Sequence, residues 1–241
     1  MSTALISVLC IGLFLLVFVV LIVVAIVSAS KRKQQVSDAA SHLGFSPLAE
    51  ADPELLSRLT ALYRPYPVRK VSNAFRKSFG NETYYIFDSQ TDNPSSNTDV
   101  ETTSSNEFGN IGILSPYLDL PAFMLMPRFP AMPMGLSGML ENLLSLAALN
   151  AGLNEYTLVT PDFSAKYMLF VKEDDRVEKV FTNEVQDWIA RQEQLVARGE
   201  NDFLLYNRYN LRLKNNKEVR QLSDLMDGAR QLCDFLVTRK N

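Results

Sequence analysis

The sequence predicts an α+β protein, with an N-terminal transmembrane helix followed by a mainly antiparallel sheet with packed helices. Three observations carry this reading. Residues 4–29, "ALISVLCIGLFLLVFVVLIVVAIVSA", contain no charge and no proline. Beyond them, apolar runs of strand length come in pairs around turn residues, as "KVSNAFRKSF" and "TYYIFDS" do around "GNE". Segments with apolar residues at helical spacing lie between and after those pairs, and hairpins interleaved with helices mark the α+β class.

A membrane span needs about 20 apolar residues, and the run from Ala4 to Ala29 is longer. "SAS" at Ser28 to Ser30 has the small residues of a signal-peptide cleavage site. However, no Lys or Arg precedes the run, and a secretory apolar region extends over roughly 7–15 residues. The sequence therefore predicts an uncleaved helix over residues 1–30, with the lipid bilayer as partner through residues 4–29. "KRK", Lys31, Arg32 and Lys33, follows at once, and the positive-inside rule keeps such a flank in the cytoplasm. The expected location is the cell inner membrane, single-pass, with the N-terminus outside and the C-terminal domain cytoplasmic.

Residues 31–69 read as a juxtamembrane helical linker and residues 70–241 as a cytoplasmic α+β domain. The first helix of the linker has Val36, Ala39, Ala40 and Leu43 as its apolar stripe and Gly44 as its stop. In "DPELLSRLTALY", Asp52 is an N-cap and Pro53 opens the helix, with Leu55, Leu56, Leu59 and Leu62 on one face. The hairpin around "GNE" follows. Residues 88–110 are rich in Ser, Thr, Asn and acids and lack Lys and Arg, which predicts a long mobile acidic loop. "IGILSPYLDL" resumes a strand, and "LPAFMLMP" is apolar on both faces and bounded by prolines, as a buried strand would be.

"RFPAMPMG" cannot be regular, because Pro127, Pro130 and Pro133 fall within seven residues. The helix after it, "LSGMLENLLSLAALNAG", places Leu136, Met139, Leu140, Leu143, Leu144 and Ala147 at helical spacing. Leu146 and Leu149 lie off that stripe, and Glu141 is its only charge. A helix apolar almost all round is either core or covered by something outside the domain. The residues expected to meet a partner or membrane are Met132, Met134, Leu136, Met139, Leu146 and Leu149.

The rest of the chain reads as a strand "EYTLVT", a strand "DFSAKYMLFVK", and a helical stretch "EDDRVEKVFTNEVQDWIARQ" broken near Thr182. A hairpin around "GEN" and a C-terminal amphipathic helix complete it. Trp188, on the apolar side of its helix, is expected to be buried.

Composition narrows the chemistry. With 24 basic and 27 acidic residues there is no overall basic field, and no nucleic-acid partner is predicted. One histidine, His42, and two cysteines, Cys10 and Cys233, are too few for a structural zinc site of about four ligands. No glycine-rich phosphate loop occurs, and no cofactor is predicted. Arg58, Arg64, Arg69, Lys70, Arg76 and Lys77 form a run without acids, interleaved with aromatic residues. Lys31, Arg32, Lys33, Arg69, Lys70, Arg76 and Lys77 are candidate contacts for anionic lipid. A solvated strand edge accounts for the same run.

"YYIFD", "LPAFMLMP", "PDFSAKYMLF", "DDRVEKVFTNEVQDWI" and "FLLYNRYNLRL", together over residues 70–237, resemble a family of uncharacterised bacterial membrane-anchored proteins with a cytoplasmic α+β domain of unknown function. The chain departs from that pattern in its Met- and Pro-rich "RFPAMPMGLSGMLENLLSLAALN". The resemblance implies the α+β fold and a bacterial origin, and it carries no catalytic residue. The expected function is a non-catalytic interaction or assembly module at the cytoplasmic membrane face, joined to a protein partner or to itself. The rival is a membrane-tethered enzyme with an acid-based site assembled from separate strands.

Overall fold

The computed structural model describes residues 14, 18, 20, 30–31, 33–48, 52–64, 68–93, 103–130, 136–157, 160–172, 176–209 and 218–237. In chain order the elements are α1 (helical residues 33–42), β1 (Ser46–Pro47), α2 (Pro53–Leu62), β2 (Val68–Phe79), β3 (Glu82–Asn93), β4 (Thr103–Leu114) and β5 (Leu120–Pro127). There follow α3 (Leu136–Asn150), β6 (Asn154–Glu155), α4 (Pro161–Lys166), β7 (Tyr167–Val171) and α5 (Val177–Val180). The last four are α6 (Asn183–Ala190), β8 (Leu195–Asn201), β9 (Phe203–Arg208) and α7 (Glu218–Leu236).

The described strands form one nine-stranded sheet in the order β1-β2-β3-β4-β9-β8-β5-β7-β6. All neighbours are antiparallel. Side chains alternate between faces along a strand. On β3, Tyr84 and Ile86 enter one core and Tyr85 and Phe87 another; on β9, Leu204 and Tyr206 separate in the same way from Phe203 and Leu205. The continuous apolar runs of these strands follow from this, because both faces are covered.

The first face carries the large core, closed by α1, α4, α5, α6 and α7 through residues such as Ala40, Phe163, Val180, Ile189 and Leu232. On the second face, Leu55, Leu59 and Tyr63 at α2 cover Val71, Tyr85, Phe87 and Phe203. Farther along that face, α3 covers Met168 and Phe170. Local signals set the ends of several elements. Asp52 accepts from the Leu55 N–H at 3.0 Å ahead of Pro53, Gly44 ends α1 at φ 79°, and Thr182 caps α6 and separates it from α5.

The structure corrects several expectations. Among the described residues no helix is long and apolar enough to cross a membrane. The longest, α7, has 19 residues and is amphipathic with several charges, and α3, at 15, is shorter than a span requires. Apart from Phe14, Phe18 and Val20, the expected span over residues 4–29 lies outside the described residues. The transmembrane part of the fold class, the single-pass inner-membrane location with its sidedness, the bilayer as partner and the membrane-bound form of both functional readings are corrected accordingly. What stands is an α+β domain with a large antiparallel sheet and packed helices.

Residues 88–93 and 103–110, expected as loop, extend β3 and β4, while 94–102 lie outside the described residues. Asp88, Ser89 and Asn110 use their polar side chains inside the sheet. Asp88 accepts from the Gly109 N–H at 2.9 Å and from Asn73 at 2.8 Å. Asn110 donates to Ser89 and accepts from Asn207. "DFSAKYMLFVK" is not one strand: Pro161 and Asp162 start the short helix α4 after Thr160, and only Tyr167–Val171 are extended. Trp188 is half-buried, tilted against Phe235 at 5.5 Å.

Candidate functional site

α3 is built from Leu and Ala, strong helix formers, and its end is locally encoded. Gly152, at φ 75°, donates to the Leu149 carbonyl, and the Leu153 N–H reaches back to Ala148 at 2.9 Å. This is the paired closure of a glycine-terminated helix, with Leu153 packed near Ala148.

Two features hold α3 on the sheet. Ala148, its one fully buried residue, packs with the half-buried Leu144 toward Met168, Phe170 and Met124. The second is a polar clasp. Arg128, just past the end of β5, donates to Glu141 at 3.0 Å, to Glu155 at 3.3 Å and, through Nε, to the Ser164 carbonyl at 2.7 Å. The Phe129 N–H donates to the other Glu141 oxygen. The only charge of α3 is therefore engaged beside the sheet.

The opposite side of α3 is apolar and open. Leu136, Met139, Leu140, Leu143, Leu146 and Leu149 are between 37% and 60% exposed. Four expected contact residues, Leu136, Met139, Leu146 and Leu149, thus share the exposed surface of α3. The other two, Met132 and Met134, lie outside the described residues. Leu140 and Leu143 join the patch although the sequence stripe grouped them with Leu144. The helix is turned because Ala148 and its single charged residue, Glu141, have their partners on the sheet side.

Two adjacent members of the basic run, Arg76 and Lys77, lie over rings of different cores. Lys31, Lys33, Arg69 and Lys70 are exposed, and Arg32 lies outside the described residues. Arg76 lies 4.0 Å from Glu54 and over the Tyr85 ring. Lys77 donates to the Leu43 carbonyl at 2.7 Å and sits over the Phe45 ring. Tyr85 and Phe45 belong to cores on opposite faces, so these adjacent residues serve different faces. An open depression of about 410 Å³ lies between Gly44–Leu48 and Arg76–Ser78.

One cluster had no sequence signal. The Arg198 guanidinium lies 4.0 Å from the Tyr63 ring centre and 3.5 Å from Glu107, to which the Tyr63 hydroxyl donates. Burial, and then the Glu107 charge, push the Tyr63 phenol well above its usual range. These groups come from α2, β4 and β8, and they tie the helix to the sheet. Among the described residues no three His, Cys, Asp or Glu side chains are grouped to hold a metal ion.

No family model matches the chain, and no curated protein matches it. Among solved structures it is similar to the crystal structure of the mycobacterial trehalose monomycolate transport factor A. The TM-score is 0.49 and the identity 11%, over 85% of this chain and 93% of that one.

Proposed function

We propose that this chain is a protein-interaction module that docks a partner on the outer face of α3. The supporting observation is the six-residue apolar surface from Leu136 to Leu149, each side chain at least 37% exposed, on a helix whose single charge is engaged by Arg128. Scattered exposed leucines are ordinary on a protein surface. A contiguous patch on one helix, flanked by exposed polar residues such as Asn142 and Asn150, has the composition of an interface.

Photo-crosslinking in cells tests this reading. The full chain carries benzoylphenylalanine at Leu143, or, as a control, at the exposed Glu193 before β8. Discrete protein adducts from position 143 and none from position 193 are expected. No protein adduct at 143, or the same adducts at both positions, overturns the docking role.

A further inference from the structure

We infer that the partner of this face is a second copy of the same chain, with the two α3 helices packed antiparallel. This inference rests on the docking role proposed for α3 and identifies its occupant.

The first argument is spacing. Among the exposed side chains, Leu136, Met139, Leu143 and Leu146 follow one another at intervals of three, four and three residues. That is the seam by which one helix packs along another at a shallow angle. The interval pattern reads the same in both directions. An antiparallel copy therefore sets Leu136 against the other chain's Leu146, and Met139 against its Leu143. All four layers of the contact are apolar.

Charge is the second argument. A two-fold interface brings one patch against itself, so any charge on it meets its like. Here the only ionisable side chain of the helix is Glu141, engaged by Arg128 and the Phe129 N–H. The outer face offers nothing to a charged partner and nothing repulsive to itself.

Orientation follows from the helix ends. α3 has no acid in its first turn and no base in its last, so its dipole is uncompensated by its own side chains. An antiparallel neighbour places each positive end beside a negative one. The area fits a weak, reversible dimer. Each side chain, about half exposed, leaves on the order of 80 Å² in water, so the four seam residues of two copies bury on the order of 600 Å². Full cover of all six would reach only the lower limit of a specific interface, on the order of 1,000 Å².

Disulfide formation between full-length chains tests the pairing and its direction, in a background with Cys10→Ser. Cys233 is buried. Leu136→Cys and Leu146→Cys are at exposed positions, so neither disturbs the core. Within one antiparallel pair, position 136 faces position 146 of the other copy. Two copies of position 136 are then about 15 Å apart along the axis, beyond the reach of a disulfide. Mild oxidation should therefore give dimers from a mixture of the two variants and little from either alone. Dimers from each variant alone in equal yield overturn the antiparallel pairing. No dimer in the mixture overturns self-association. If benzoylphenylalanine at Leu143 still captures a different protein, the docking role survives and only the identity of the occupant fails.

Discussion

The Arg128 guanidinium and the Glu141 carboxylate meet at 3.0 Å, thirteen residues apart in the chain, and this contact orients α3 on the sheet. Both side chains remain partly exposed, at 32% and 24%. Pairs of this kind contribute about 1 kcal/mol or less. Arg128→Ala should therefore lower global stability only slightly. It should markedly accelerate amide hydrogen exchange across residues 136–150, because the apolar contact beneath α3 is small. Unchanged exchange in α3 would assign its docking to Ala148 and Leu144 alone.

Gly228 on α7 faces the Tyr206 hydroxyl so closely that a Cβ there would lie 2.5 Å from the oxygen. Tyr206 is fully buried, so its ring has little room to move away. Overpacking of this kind costs ~1–3 kcal/mol, so Gly228→Ala should destabilise the domain by that order. In a Tyr206→Phe background, which removes the clashing atom, the same substitution should cost less. Chemical denaturation of the four variants in a cycle checks this. Equal losses in both backgrounds would place the strain elsewhere.

Trp188 is the single tryptophan and is half-buried against Phe235. Trp188→Ala should cost less than the ~3–5 kcal/mol of a fully buried large aromatic. Native emission should lie between those of buried and solvated indole, with partial quenching by acrylamide. A loss in the full range, or no quenching at all, would mean that α6 and α7 pack more tightly than described.

Burial, followed by the Glu82 and Asp234 charges, pushes the Cys233 thiol from its ordinary value near 9 up to about 12. The unfolded chain therefore loses this proton first as pH rises. The thiol's contribution to stability is intact below pH 9 and declines from there to about 12. Burial likewise raises Tyr85, to about 12. Unfolding free energy should fall through this alkaline window, less steeply in Cys233→Ala. In Cys10→Ser chains at pH 8, a thiol reagent should label Cys233 slowly when native and rapidly when unfolded. Fast native labelling would contradict the burial of α7.

Much of the secondary structure could be read from short-range chemistry. The Asp52–Pro53 start, the Gly44 stop, the turn at Gly80 and the break at Thr182 each depend on a few neighbouring atoms. The misreadings have a common cause. Ser89, Thr91 and Asn110 look like loop residues in isolation, but neighbouring strands supply the partners that make them sheet residues. The opening of "PDFSAKYMLF" could form strand or helix, and Thr160 and Pro161 start it as helix on the way into β7.

The sequence by itself determined that residues 136–150 form a helix with a surplus of apolar side chains, because helical spacing and composition are local properties. Only the tertiary structure decided which side that surplus faces. Leu136, Met139 and Leu143 are as apolar as Leu144, so nothing within the helix selects an inner face. Arg128 makes the selection across thirteen residues, together with the β7 residues Met168 and Phe170 against Ala148. The Tyr63–Glu107–Arg198 cluster has the same origin, since its members are brought together by three separate elements. Contacts of that range become defined only when the sheet closes, and the open face of α3 is what remains uncovered afterwards.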